Sequence, residues 1–409
     1  MKSMSFLRSH KAWEWFTHVF IPFAVMFTGY LLDKHYDWTK QVEVKPQIIN
    51  VKTKDSLDNK QIESIQGELT DTLVLLPKNV TVKGNFKGAW KKLKDFPGSK
   101  RLENCCFTIN DKAYVGLGIV GDIFLSDLWE YDVKNDEWNK KPRFPGDARS
   151  GMFYFVINDK AYIGGGYGKK RINSDYEYKE YFTQDFWQYS PENNSWTKKK
   201  YLPIDYALID AVSFVIDGKG YVATGGPRGR CMSLKELYEY DPETDNWTKK
   251  NNFPGEERTL AFAFTLNGKG YVGGGKNYAH KTYSDFWEYD PVTDRWTQKN
   301  NFPVKIESAK SIVINGKVYV GFGGYYPKGN ILYLSDLWEY NPEKDSWKTT
   351  LKFIGNPRVS NFLFSIRNKG YIGLGYNYNK NHDWHYCGDI WEFTPPYTTV
   401  TVPDKHLKK

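Results

Sequence analysis

The chain is poor in the residues that carry most metal, redox and proton-transfer chemistry. Its 409 residues include 4 Cys, 7 His and 5 Met. Cys105 and Cys106 are adjacent, so in a strand they point to opposite faces, while Cys231 and Cys387 fall in other parts of the chain. That spacing excludes an evident disulfide framework and leaves buried or free thiols as the expectation. His382-x-x-His385 has ligand-like spacing but no thiolate nearby, so neither a metal site nor a cofactor is expected. Charge of one sign is also scarce. The 57 Lys+Arg and 48 Asp+Glu leave a net +9, which admits an acidic partner but is too small to mark a nucleic-acid binder. No glycine loop opens a helix to cradle phosphate, and no nucleophile elbow is present. With 40% hydrophobic and 26% charged residues, wholesale disorder is excluded.

Long apolar runs are missing but for one. Val19 to Leu32 follows Lys2, Arg8 and Lys11 and is flanked by Trp13–Phe16 and Tyr36–Trp38. It is short for a span of about 20 residues unless the aromatic flanks sit in the interfaces. Residues 1–34 are expected to form a hydrophobic helix, either an uncleaved signal anchor or a signal peptide, with membrane contact through 13–32. The basic residues come first, so the rest of the chain is expected on the far side, in a periplasm or outside the cell. A helix lying in the interface is the alternative. Residues 35–85 read as a polar linker or stalk, and 397–409 as a polar tail.

Aromatic residues are abundant: 17% of the chain, with 15 Trp, 30 Tyr and 25 Phe, beside 35 Gly. Repeats explain them. Asp-x-Trp-x-Tyr recurs at Asp127–Tyr131, Asp185–Tyr189, Asp285–Tyr289 and Asp336–Tyr340, with variants at Glu236–Tyr240 and Asp389–Phe393. A lone Trp recurs at 90, 138, 196, 247, 296 and 347. A Tyr-aliphatic pair running into glycines begins at Tyr114, Tyr162, Tyr221, Tyr271, Tyr319 and Tyr371. One unit reads as an alternating apolar strand, a tight turn such as Asp217-Gly218, a strand ending in glycines, the Asp-x-Trp-x-Tyr strand, and a fourth strand with the lone Trp. Four strands in about 50 residues is the kelch period.

The chain therefore resembles the kelch β-propeller family over about residues 86–396. The resemblance implies an all-β, six-bladed ring. Six sets of the first three strands are present. The first lone-Trp strand, at Trp90, precedes them all, and the last set lacks one. The amino-terminal strand is thus expected to complete the carboxy-terminal blade.

In such a meander the loops between blades and the loops after each second strand share one face. Four residues beyond each Phe-Pro mark or its equivalent stand Arg101, Arg149, Ala207, Arg258, Glu307 and Arg358. They are expected to line the channel mouth, where neighbouring arginines near 8 Å would repel by about 1–2 kcal/mol and an anion would relieve the strain. The alternative is that each arginine bonds carbonyls between blades. The other loops add Tyr167, Arg228, Tyr278, Tyr325 and Trp384, amphipathic or cationic side chains suited to sugars or peptides. The expected function is a membrane-tethered binding module for an acidic glycan or an acidic protein segment. Repeat type and blade count are also similar to bacterial sialic-acid mutarotases, which would make Glu307 an acid/base. An inert scaffold is the third reading.

Overall fold

A computed structural model describes residues 48–50, 79–86, 88–171, 178–227, 232–325, 332–378 and 384–403. The expected amino-terminal helix lies outside them. Among the described residues no helix is long and apolar enough to cross a membrane.

Residues Ala89–Pro395 form one compact unit. It holds six four-stranded antiparallel sheets. Blade 1 runs Cys105–Ile109, Lys112–Gly116, Leu128–Asp132, Glu137–Lys141, from the hub outward. The innermost strands of blades 2 to 6 are Phe153–Ile157, Val212–Ile216, Phe262–Leu266, Lys310–Ile314 and Phe362–Ile366. Each innermost strand packs beside the next, and the sixth beside the first, so the ring is closed. In blade 6 the outermost strand is Ala89–Lys92, paired with Ile390–Thr394. The shared blade expected from Trp90 is present.

Local chemistry fixes each blade. The turn between first and second strands needs two left-handed residues, supplied by Asp217-Gly218 (φ 48° and 75°), Asn267-Gly268 (51° and 71°) and Asn315-Gly316 (52° and 71°). The second strand ends where backbones crowd: a Cβ on Gly118, at φ 93°, would lie 2.4 Å from the Leu102 carbonyl oxygen. The third strand packs both ways. Phe286 meets Tyr340 and Trp347 of blade 5 at 5.0 and 5.1 Å, while Trp287 and Tyr289 join the cluster shared with blade 3. Six such clusters fill the six spaces between blades. A fully buried side chain such as Phe286 contributes about 1.5–3 kcal/mol.

A second unit comprises Met1–Gly88 and Pro396–Lys409. Its described part is a three-stranded sheet in which Asn79–Phe86 pairs in parallel with Ile48–Asn50 and antiparallel with Tyr397–Pro403. The stretches read as a stalk and a polar tail thus contribute paired strands. Tyr397-Thr-Thr-Val-Thr-Val-Pro403 is polar in composition but β-branched throughout its centre, and β-branched side chains favour the extended backbone.

Candidate functional site

Each loop between blades ends on a residue in the left-handed region: Glu103, Gly151, Asp210, Leu260, Ser308 and Ser360. The residue before it pairs with the loop that follows the second strand of the same blade. These pairs are Leu102 with Ile119, Ser150 with Tyr167, Ile209 with Gly226, Thr259 with Lys276, Glu307 with Gly324, and Val359 with Tyr376. One residue further back stand Arg101, Arg149, Leu208, Arg258, Ile306 and Arg358. The true replacements for arginine are therefore Leu208 and Ile306, not Ala207 and Glu307. The loop into blade 3 is one residue longer than the others and the loop into blade 5 one shorter, which defeats counting from the Phe-Pro mark.

The arginines do not line an open mouth. Arg101, Arg149, Arg258 and Arg358 are all 0% exposed. Each reaches outward to the aspartate that opens the third strand: Arg101 to Asp127 at 2.5 and 2.8 Å, Arg149 to Asp185 at 2.5 and 3.1 Å, Arg358 to Asp389 at 2.7 and 2.9 Å. Each also donates to two carbonyls of its own blade, as Arg101 does to Ser99 and Leu117. The guanidinium lies over the phenylalanine of the Phe-Pro mark or its equivalent, 4.6 Å from the Phe253 ring in blade 4 and 5.3 Å from Phe353 in blade 6. The aspartate in turn accepts from the tryptophan two residues on, Trp129 to Asp127 at 2.8 Å and Trp391 to Asp389 at 2.7 Å. Burial pushes the Asp127, Asp185 and Asp389 carboxyls up, but the bonds from arginine and tryptophan outweigh it and hold them below the usual carboxylate range. The expectation of a ligand-binding arginine ring is corrected: every guanidinium has a carboxylate partner inside its blade. In blade 5, where Ile306 stands for arginine, the Trp338 Nε1 is buried without a hydrogen bond among the described residues.

Glu307 is also placed differently from the expectation. Its carboxylate is largely buried and ion-paired with Lys276 at 2.8 Å, so it is not a lone acid set among guanidinium groups. Tyr167 is buried against Phe124, ring to ring at 5.3 Å, and serves packing between the loops of blades 1 and 2. Tyr325 is half-buried against the core between blades 4 and 5. Tyr278 is exposed. Arg228 and the Trp384 side chain lie outside the described residues, as do Cys231 and His382.

The geometry groups Tyr278 with four residues that sequence reasoning passed over. Five successive blades each lift one apolar side chain into solvent from the loop after the second strand: Ile123, Phe182, Met232, Tyr278 and Leu332. The signal was available, since apolar residues in loops belong to no alternating pattern. Across loops 117–126, 165–184, 224–235, 274–284, 322–335 and 374–388 the sequence places eleven Lys and Arg against five Asp and Glu.

At the hub lies a cavity of about 290 Å³ to which all six blades contribute. Its polar lining includes Glu103, Asn104, Tyr154, Asp210, Ser308 and Lys310. Lys310 occupies the first position of its innermost strand, where the other blades carry Cys105, Phe153, Val212, Phe262 and Phe362. That substitution was its sequence signal. Cys105, Cys106 and Cys387 are buried free thiols, and burial pushes Cys105 up to about 12. Among the described residues no group of three His, Cys, Asp or Glu side chains is placed to hold a metal ion.

Known proteins share this architecture. Residues 87–259 match the family of the KLHDC2/KLHL20/DRC7 Kelch-repeats domain, and residues 308–350 match the Kelch motif. Kelch repeat and BTB domain-containing protein 1 of Cowpox virus (strain GRI-90 / Grishak) is 37% identical over 73 residues, covering 18% of this chain and 13% of that protein. Kelch repeat and BTB domain-containing protein A55 of Vaccinia virus (strain Western Reserve) matches with the same identity, 37% over 73 residues, covering 18% of this chain and 13% of that protein. The chain thus spans a small part of these viral relatives. A solved structure, "Structure of YjhT", superposes with a TM-score of 0.60 at 19% identity, covering 74% of this chain and 97% of that one, a likeness of fold. With six four-stranded blades, the glycine-ended second strands and both motif matches in place, the chain belongs to the kelch-repeat β-propeller family.

Proposed function

We propose that the propeller is a binding module whose loop tips take an acidic protein segment. The observation that carries this reading is the set of exposed apolar side chains, one from each of five successive blades, on a set of loops that together carry more cations than acids. Apolar anchors at the centre of an interface supply most of the affinity, commonly about 1–2 kcal/mol each or more. Lysines around them speed encounter and select charge. Lys170, Lys179 and Lys281 are exposed on these loops. In this reading the apolar stretch at 19–32 tethers the module to a membrane, with the propeller on the side opposite the basic amino terminus.

The test uses the full chain in detergent micelles against an array of acidic peptides, their charge-reversed counterparts, and sialylated and uronic glycans. Acidic peptides with an apolar residue should bind, and more weakly as salt rises. Equal signals from charge-reversed peptides would remove the charge argument, and signals confined to the glycans would replace the protein partner by a sugar.

A further inference from the structure

The hub cavity presents charged and polar groups that the fold itself does not use. Lys310 makes no hydrogen bond or ion pair among the described residues, and its side chain is half-buried in the cavity lining. Glu103, on blade 1, has a buried Oε2 without a hydrogen-bond partner. Asn104 is 5% exposed, lines the cavity, and leaves both Oδ1 and Nδ2 without partners. Asn361, 2% exposed, occupies the equivalent position in blade 6 and is likewise unsatisfied at both atoms. A buried carboxamide without partners costs about 1–3 kcal/mol, so two of them at equivalent positions in neighbouring blades are not explained by stability.

We propose that this cavity binds a small zwitterion of the free α-amino acid class, with Lys310 receiving the ligand's carboxylate, Glu103 its ammonium group, and Asn104 offering those same two groups a further donor and acceptor. The charges select the class. Lys310, Glu103 and Asp210 come from blades 5, 1 and 3, alternate blades around the hub, so cation and carboxylates approach from different sides. A simple anion that meets Lys310 also meets Glu103, and a simple cation faces Lys310. A neutral polyol satisfies Asn104 but leaves Lys310 and Glu103 unmatched. A ligand carrying both signs satisfies all three. The volume, about 290 Å³, stands at the lower end for small-molecule sites. Burial holds the Lys310 ammonium below the usual lysine range, against the pull of Asp210, Cys106 and Glu103, so a carboxylate arriving there relieves a desolvated charge.

The site is separate from the loop tips, and its test is separate too. Calorimetric titration of the full chain with glycine, alanine and glutamate should show binding, while acetate, methylammonium and glycerol should not compete. Lys310→Met and Glu103→Gln should each weaken binding about 10- to 100-fold. Neither should alter capture of an acidic peptide by the loops. Should Lys310→Met fail to fold, the isosteric Glu103→Gln carries the test. No heat with any amino acid, equal binding of acetate or glycerol, or unchanged affinity in Glu103→Gln overturns the proposal.

Discussion

Arg258 and Asp285 are joined by two parallel hydrogen bonds, Nη1 to Oδ1 at 2.7 Å and Nη2 to Oδ2 at 2.8 Å. The same carboxylate accepts Trp287 Nε1 at 2.8 Å, and the guanidinium also bonds the Gly274 carbonyl at 2.9 Å. One residue thus ties the loop between blades, the glycine end of the second strand and the start of the third. Sequence position made the arginine look like a ligand site; geometry makes it an internal brace.

Arg258→Ala should destabilise the propeller by about 3 kcal/mol or more, because Asp285 is left beside an empty, largely desolvated space. Arg258→Ala with Asp285→Ala should cost less than the sum of the single changes, giving a coupling energy of about 1–3 kcal/mol. Urea unfolding of the four proteins measures it. Additive losses would mean that the pair does not act as a unit.

Acid should unfold the propeller in a defined direction. Asp127, Asp185 and Asp389 are held below the ordinary carboxylate value in the folded state. The unfolded chain therefore binds protons first, and the contribution of these groups is complete above their unfolded value near 4. It is lost as pH falls through their lower folded values. Urea midpoints should be flat from about pH 7 to 5 and fall below about pH 4. A midpoint that rises on acidification would contradict the assignment.

Ring closure rests on one short strand. Trp90 lies 4.8 Å from the Phe353 ring and 5.0 Å from Phe393, and its Nε1 bonds the Lys352 carbonyl at 3.0 Å. Trp90→Ala should cost about 3 kcal/mol or more in urea unfolding, and Trp90→Phe clearly less. Equal stability of all three proteins would show that the first and last blades hold together without this strand.

Much of this was legible in the sequence. Six copies of Asp-x-Trp-x-Tyr or its variants and an unmatched Trp90 are enough to count blades and locate the seam. The site was less legible for a physical reason. The two inner strands of every blade keep one length because they pack on neighbours, but the loops between blades vary by one residue, and a shift of one exchanges Ile306 for Glu307. Counting backward from the left-handed residue, Ser308 in blade 5 and Leu260 in blade 4, restores the register. The partnering of Arg101 with Asp127 was hidden because 26 residues separate them along the chain. Lys310 was passed over because a single lysine at the head of an apolar strand resembles a solvated end until six strands converge on one axis.

The most direct measurement compares two variants of the full chain for affinity to an acidic peptide. Ile123→Ser with Phe182→Ser should leave the unfolding free energy from urea titration within about 0.5 kcal/mol of wild type, since both side chains are exposed. The same variant should weaken binding about tenfold or more. Arg258→Lys, which loses the paired fork inside the blade, should lower stability and leave that affinity unchanged. Lost binding in Arg258→Lys at a temperature where it stays folded, with full binding in the loop variant, would contradict the division between an internal arginine brace and a recognising rim.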